Sequence, residues 1–147
     1  MLKTVHLASD HAGVALKSTL IEHLATQGYA IQNHGANSIQ SCDYPVYAQA
    51  LCKAVLAHGD LGILICGTGL GMSMMANRFR GIRAAVCTNE LLASTSRRHN
   101  NANVLCLGER IVGVGLALAI VDTFLQSKFE GGRHQGRLAM LDCNLDG

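Results

Sequence analysis

The sequence predicts a single α/β domain over residues 1–147, a Rossmann-like three-layer αβα sandwich built on a five-stranded parallel sheet. Three observations predict this fold. Short apolar runs alternate five times with segments of helical character, and no change of composition divides the chain. A third is the stretch LGILICGTGLGMSMMAN at 61–77, where an apolar run, a glycine-rich turn and a helix start follow one another. That layout turns backbone N–H groups toward an anion.

Five short apolar runs are predicted as strands. The first contains Val5 and Leu7, and the later ones consist mainly of Ile, Leu, Val and Ala. Because a helical segment separates each run from the next, the strands are expected to be parallel and covered by helices on both faces. The predicted strands cover residues 3–9, 29–32, 61–65, 82–87 and 103–107.

Six segments are predicted as helices. The first has apolar residues at helical spacing and ends before Gly28, and the second has Pro45 in its first turn, where a missing N–H costs nothing. The last would follow a Gly131-Gly132 turn. The predicted helices cover residues 14–27, 46–57, 71–78, 90–99, 112–126 and 134–142.

Composition excludes several classes of protein. With 49% hydrophobic and 15% charged residues, the chain is globular rather than disordered. A net charge of +2 without a Lys/Arg cluster gives no support to binding of nucleic acid or of a membrane surface. No stretch reaches the ~18 apolar residues of a membrane span, and the N-terminus lacks a signal core. A cytoplasmic location is therefore expected.

The six cysteines are predicted to be free thiols. None forms a C-x-x-C pair, no His/Cys spacing matches a zinc finger, and a reducing compartment disfavours disulfides. No metal site is predicted.

Cys66 follows the apolar run at 61–65, at the strand end where open α/β sheets bind ligands. Two interpretations stay open: an inert core thiol, or a thiolate base or nucleophile favoured by nearby glycine N–H groups and a helix start.

Gly67, Gly69 and Gly71 could serve only tight packing. Their spacing, the absence of a ribose-binding acid and the absence of a P-loop lysine favour a small oxyanion over a nucleotide.

Three further groups carry candidate chemistry. Asp10 and His11 follow the first strand; Asp10 alone could be a helix cap, which leaves the adjacent His11 unexplained. His99 lies at a helix end, where it could merely favour the helix dipole. Arg133 and Arg137 would share a helix face and grip one phosphate, unless they form a solvated basic turn.

Several separated segments together resemble one family, the ribose-5-phosphate isomerase B family, which is related to the bacterial galactose-6-phosphate isomerase subunits. The resemblance runs over nearly the whole chain, in the same order. The segments are SDHAG (9–13), DYPVYA (43–48), ICGTGLGMS (65–73), GIRAA (81–85), SRRHNNANVL (96–105) and FEGGRHQGR (129–137).

The resemblance implies an aldose–ketose isomerase that interconverts ribose 5-phosphate and ribulose 5-phosphate through a cis-enediolate, without metal or organic cofactor. Cys66 would be the base, with Thr68 and the loop amides stabilising the enediolate. His99, with Asp10, would open the sugar ring. The implied sugar and phosphate contacts come from Tyr44, Asn100, His11, Arg110, Arg133 and Arg137.

The resemblance also implies a homodimer, or a dimer of dimers, with an active site shared across the interface. The segment carrying His99 would come from the neighbouring subunit, and the helix at 134–142 would pack on that subunit.

Three positions depart from common family patterns. Met72 replaces the glutamate base of one branch, which assigns the chain to the cysteine type; Asn101 replaces an acid; Arg78 replaces a lysine.

Three alternative functions remain at this point. A 6-phosphohexose isomerase of galactose or allose type differs by one carbon of room in the pocket, worth perhaps ~1–3 kcal/mol. A non-catalytic phosphosugar-binding or nucleotide-binding module would bind without exchanging the C2 hydrogen and would tolerate Cys66→Ser. A purely structural flavodoxin-like domain leaves the residues Asp10, His11 and His99 unexplained.

Overall fold

A computed structural model describes residues 2–143 of the protein. Five strands form one parallel sheet in the order β2-β1-β3-β5-β4, so the strand that carries the glycine-rich loop is central. The fold class predicted from the sequence is confirmed. The strands are β1 (Thr4–Ser9), β2 (Ala30–Asn33), β3 (Leu61–Cys66), β4 (Ala84–Val86) and β5 (Val104–Gly108).

Helices cover both faces of this sheet. Alternate residues of each inner strand point to opposite faces, and both sets are apolar, so each face packs against a helical layer. One layer contains α1, α4 and α5, and the other contains α2 and α3, while α6 packs against α4. The helices are α1 (Val14–Thr26), α2 (Tyr44–His58), α3 (Leu70–Ala76), α4 (Glu90–Asn100), α5 (Val114–Gln126) and α6 (Arg133–Leu141).

Differences from the predicted boundaries are small and have local causes. A short 3₁₀ turn, His11–Gly13, precedes α1, because the Asp10 side chain accepts a hydrogen bond from the Ala12 N–H and tightens the chain there. Helix α2 begins at Tyr44, with Pro45 in its first turn as predicted. Strand β3 extends one residue further and includes Cys66. In residues 2–143, no helix has the length and apolarity that crossing a membrane requires.

Lys17 is a buried charge that the sequence pattern did not indicate. Its ammonium donates hydrogen bonds to Asn33 Oδ1 (2.8 Å), Asn37 Oδ1 (3.0 Å) and the Ala36 carbonyl. These contacts tie the loop after β2 to helix α1. Burial lowers the pKa of Lys17 to about 8.

Stability is expected to fall steeply at alkaline pH, because burial raises the pKa of Cys52 to about 12, that of Cys87 to about 11 and that of Cys106 well above its usual range. Below pH ~8 these thiols are protonated in both the folded and the unfolded chain, so the pH does not change the free energy of unfolding through them. As the pH rises through ~9, the unfolded chain releases three protons that the folded chain keeps. Lys17 acts in the opposite direction, because its lowered pKa makes the folded chain lose this proton at a lower pH than the unfolded chain does. It therefore offsets one of the three protons.

A net difference of about two protons should lower the free energy of unfolding by about 2–3 kcal/mol between pH 9 and pH 10. Urea unfolding across this range measures the slope. Cys52→Ala is the control: it also creates a cavity, which lowers stability equally at every pH, but it should reduce the slope by about one proton between pH 9 and pH 10. An unchanged slope in Cys52→Ala would contradict the assignment.

Candidate active site

The carboxyl ends of β1, β3 and β5 bring one set of predicted site residues together. In the parallel register, Ser9 pairs with Ile65 and Cys66 pairs with Gly108. Asp10, Cys66 and Arg110 therefore lie at the same end of the sheet, and the Arg110 N–H donates to the Gly67 carbonyl (3.0 Å).

The Cys66 side chain is the centre of this end of the sheet. It is 5% exposed, and its Sγ accepts a hydrogen bond from the Gly69 N–H at 3.1 Å. That contact requires the loop to fold back over the strand end, and Gly69 permits the fold because its φ is +83°. The thiol is thus held beside an inward-facing backbone amide.

Two glycines of the loop leave room for neighbouring side chains. A Cβ at Gly67 would lie 3.0 Å from the Arg110 guanidinium, and a Cβ at Gly71 would lie 2.7 Å from the Tyr44 ring. Arg110 and Tyr44 therefore flank the loop at van der Waals distance. The packing interpretation of the glycines is therefore correct for these two positions. The same close packing places two candidate contacts, one for the sugar and one for the phosphate, beside Cys66.

The backbone of Thr68 lies directly against Gly108. A Cβ at Gly108 would approach the Thr68 carbonyl carbon to 2.6 Å. The Thr68 hydroxyl accepts a hydrogen bond from the Leu70 N–H at 3.3 Å, and the Thr68 side chain is exposed. The position of this hydroxyl therefore depends on the absence of a side chain at residue 108.

Gly108→Ala is expected to lower the free energy of unfolding by about 1–3 kcal/mol, the usual cost of overpacking, and to lower kcat because Thr68 must move. Thermal unfolding and initial rates measure the two effects. The matched control is Gly115→Ala in α5, where an added Cβ meets nothing within 4 Å and stability should stay equal or rise by up to ~1 kcal/mol. A Gly108→Ala protein with wild-type stability and rate would contradict the role of this contact.

Asp10 and His11 complete this group. The Asp10 N–H donates to the Ile65 carbonyl (3.2 Å), and its carboxylate caps the 3₁₀ turn. The capping interpretation, in which Asp10 caps the helix that follows, is wrong for α1, because that helix has Gly13 at its N-cap and no side-chain cap. His11 Nδ1 accepts a hydrogen bond from the Cys42 N–H at 3.2 Å. Because Nδ1 is an acceptor, the ring proton lies on Nε2, where it can be donated to an anion. We call Asp10, His11, Tyr44, Arg110 and the loop 66–71 the carboxyl-end group.

The remaining predicted residues lie elsewhere in the same chain. Helix α4 starts after β4 and runs back to the amino ends of the strands, about 16 Å for its 11 residues. His99 and Asn100 are in its last turn, which ends at Asn101 with φ of +45°. Arg133 and Arg137 are on α6, which packs against α4. We call His99, Asn100, Arg133 and Arg137 the amino-end group.

Two cavities open at the amino end. One of about 340 Å³ is lined by His99, Asn100, His134 and Arg137, with Leu138 and Leu141. Another of about 580 Å³ lies next to Arg78, Arg83 and Asn100. Neither cavity contains a residue of the carboxyl-end group, so within a single chain the predicted site residues form two separate groups.

Sequence reasoning missed two side chains in contact with this amino-end group. The Glu130 carboxylate accepts a hydrogen bond from Arg98 Nε (2.7 Å) and lies 3.8 Å from His99 Nε2. The His134 ring stacks on the His99 ring with centroids 4.4 Å apart. Arg98 lowers the pKa of Glu130, and burial together with Arg133 lowers that of His134. The motif FEGGRH contains both residues, but its spacing alone does not reveal their contact with a helix 30 positions earlier.

Comparison with known proteins covers almost the entire chain. A family model described as Ribose/Galactose Isomerase matches residues 5–141. Ribose-5-phosphate isomerase B of Escherichia coli (strain K12) is 46% identical over 139 residues, which are 93% of each chain.

Two solved structures are similar over nearly their full length. Ribose-5-phosphate isomerase B of Clostridium thermocellum has a TM-score of 0.93 and 46% identity, covering 95% of both chains. The enzyme of Mycoplasma genitalium, in a structure with bound ribulose-5-phosphate, has a TM-score of 0.93 and 43% identity, covering 97% of this chain and 95% of that one.

Proposed function

Because the chain belongs to the ribose/galactose isomerase family, we propose that it is a ribose-5-phosphate isomerase of type B, which interconverts D-ribose 5-phosphate and D-ribulose 5-phosphate in the non-oxidative pentose phosphate pathway. The observation that carries the proposal is Cys66: a buried thiol at the end of the central strand, held beside the Gly69 N–H of the glycine-rich loop. Removal of a carbon-bound proton needs such a base together with fixed donors where negative charge develops.

In the proposed reaction, the Cys66 thiolate takes the proton from C2 of the open-chain aldose. The C2–H electrons form the C1=C2 double bond of a cis-enediolate, and the negative charge moves to O1, where Thr68 and the N–H groups of Gly67 and Gly71 stabilise it. The Gly69 N–H, which donates to the Cys66 sulfur, becomes a further donor to O1 once the sulfur has taken the proton. The thiol then returns the proton to C1, and a second proton moves from O2 to O1. The product is the 2-ketose, and the enzyme ends in its initial protonation state.

The substrate in solution is largely a closed furanose, so ring opening must come first. We assign this step to His99 acting with Asp10. His11, Arg110, Arg133 and Arg137 are the proposed phosphate ligands, and Tyr44 and Asn100 the sugar contacts. Binding at the phosphate holds C1 and C2 in place without touching them, which is how remote binding energy lowers the barrier.

This assignment requires two chains, since the carboxyl-end and amino-end groups lie at opposite ends of one sheet. A twofold axis that brings one chain's carboxyl-end group to its partner's amino-end group builds two complete sites. Exposed apolar side chains beside the carboxyl-end group support an interface there: Val46 is 61%, Leu70 52% and Met74 67% exposed. We therefore propose a homodimer, or a dimer of dimers, in which α6 also packs on the partner subunit.

The proposed compartment is the cytoplasm. All six cysteines are free thiols, as a reducing environment would keep them. A thiolate base such as Cys66 benefits from the same environment, because oxidation would consume the thiolate that takes the proton.

Turnover of ribose 5-phosphate to the ketopentose is expected in the presence of EDTA. A panel that also contains galactose 6-phosphate and allose 6-phosphate tests the second candidate, a 6-phosphohexose isomerase, which the family's name includes. We expect kcat/KM to favour the pentose by about 10–200-fold, the usual value of one carbon's room in a pocket. A preference for a hexose phosphate would reverse the substrate assignment, and absence of any turnover would contradict the isomerase.

A further inference from the structure

His99, Glu130 and His134 each bring one potential metal-ligand atom into the same small volume. Glu130 Oε1 lies 3.8 Å from His99 Nε2 and 3.9 Å from His134 Nε2, and the three ligand atoms all lie within 4.8 Å of one another. Two imidazoles and a carboxylate form a donor set that suits Zn²⁺ and related transition metals, and that Mg²⁺ and Ca²⁺ do not prefer.

His134 supplies an independent indication of a ligand. Its side chain is 8% exposed, and among residues 2–143 its Nε2 has no hydrogen-bond partner although it is sealed from solvent. Buried ring nitrogens normally have a partner. A metal ion between His134, His99 and Glu130 would provide one.

Glu130 is already oriented for this role. Arg98 Nε donates to its Oε2 (2.7 Å), and the Glu130 N–H donates to the Arg98 carbonyl (3.0 Å), so Oε1 is the oxygen left to face the two rings. Partners of this kind that fix a metal-binding carboxylate raise metal affinity. The arrangement resembles a site with three protein ligands and an open fourth position.

Metal binding requires the half-exposed His99 ring to rotate out of its stack on His134, because the two rings lie at 14° to each other and an imidazole binds a metal ion in its own ring plane. The remaining movements are small. Tetrahedral Zn²⁺ with bonds of ~2.0–2.1 Å places its ligand atoms about 3.3 Å apart, so each imidazole nitrogen must approach Oε1 by roughly 0.5 Å. His99 is 35% exposed and lines the cavity of about 340 Å³, which gives an ion a path to the site and leaves its fourth position to water.

We propose that His99, Glu130 and His134 form a binding site for Zn²⁺ or a similar divalent transition metal, and that the bound metal reversibly inhibits the protein by occupying His99. The binding site stands on the geometry alone. The inhibition rests on the proposed function, in which a free His99 nitrogen is needed to open the sugar ring.

Cobalt binding by the full-length protein tests the site without any reference to activity. Titration with Co²⁺ should give the visible absorption of a tetrahedral site with nitrogen and oxygen ligands, and no sulfur-to-metal charge-transfer band. His134→Gln and Glu130→Gln should each weaken binding by roughly tenfold or more, since the loss of an outer partner alone typically costs 10–100-fold. The matched control is His23→Gln, which removes a different histidine–carboxylate pair, with Asp122, that shares no residue with the proposed site.

Cys66→Ala separates this site from metal capture by the thiol. Its cobalt spectrum should match that of the unmodified protein, and a spectrum that disappears in Cys66→Ala would overturn the proposal. Equal cobalt affinity in His134→Gln, Glu130→Gln and the unmodified protein would also overturn it.

Inhibition is then measured with Zn²⁺, with EDTA to reverse it and Mg²⁺ as the inactive comparison. The Zn²⁺ concentration for half inhibition should rise roughly tenfold or more in His134→Gln, relative to that variant's own rate. An active enzyme that binds no cobalt overturns the metal site and leaves the isomerase intact. Cobalt binding by a protein without isomerase activity supports the site and contradicts the proposed function.

Discussion

Cys66→Ala should lower kcat with ribose 5-phosphate by about 10²–10⁴-fold, the usual contribution of a positioned acid–base group. KM should change little, because the proposed phosphate ligands, such as His11 and Arg110, remain. Cys66→Ser should be almost as slow, since a serine hydroxyl keeps the shape of the site but is a far poorer proton acceptor near neutral pH. Steady-state kinetics in EDTA measure both variants.

Exchange of the C2 hydrogen in D₂O gives a second measurement, which follows proton transfer separately from product release. Exchange should be lost in Cys66→Ala to the same extent as turnover. Cys143→Ser is the matched control: this thiol is free and exposed and lies outside the proposed site, so its loss should leave the rate near that of the wild type. Full turnover or full exchange by Cys66→Ala would remove Cys66 from the mechanism.

Mixing two inactive variants should restore activity. Cys66→Ala damages the carboxyl-end group and His99→Gln damages the amino-end group. In a dimer with shared sites, a chain of each kind forms one site that carries both defects and one that is intact. If the chains unfold, mix in equal amounts and refold at random, half of the dimers are mixed, and activity should reach about one quarter of the wild-type value.

The control pairs two defects within the same group. Cys66→Ala mixed with Asp10→Asn should show no gain, because each mixed dimer then holds one defect in each of its two sites. A site shared between subunits would be contradicted if activity were restored in this control. It would also be contradicted if no activity were restored when Cys66→Ala is mixed with His99→Gln. A dimer of dimers predicts the same values, so light scattering is needed to distinguish the assemblies.

The parallel sheet could be predicted because the central strands β3 and β5 are apolar on both faces and a helical segment separates each strand from the next. β3 illustrates this: its sequence LGILIC has no polar side chain, and it occupies the centre of the sheet. Placing Asp10 near Cys66 needed only the rule that the carboxyl ends of parallel strands meet at one end of the sheet.

What the sequence could not provide depends on packing between distant segments. Glu130 contacts His99 only because α6 and the turn before it pack against α4, and no local pattern encodes that contact. Lys17 occupies a helical position that is compatible with solvent, yet it is buried, since three oxygen acceptors from a loop surround its ammonium. Similarly, the family resemblance implies that Arg133 and Arg137 bind the same phosphate as His11, whereas a single chain places these arginines at the opposite end of the sheet.

The position of Cys66 on a central strand determines how the protein loses its activity. β3 is paired on both sides, with β1 and with β5. Segments of this kind open only with the whole domain, whereas loops and termini open by themselves. Local fluctuation therefore cannot carry the sulfur away from its place. The time for which the thiol stays in its reactive position is therefore set by the rate of global unfolding. A substitution on a helix surface that stabilises the domain should lengthen this time without altering the geometry around the thiol.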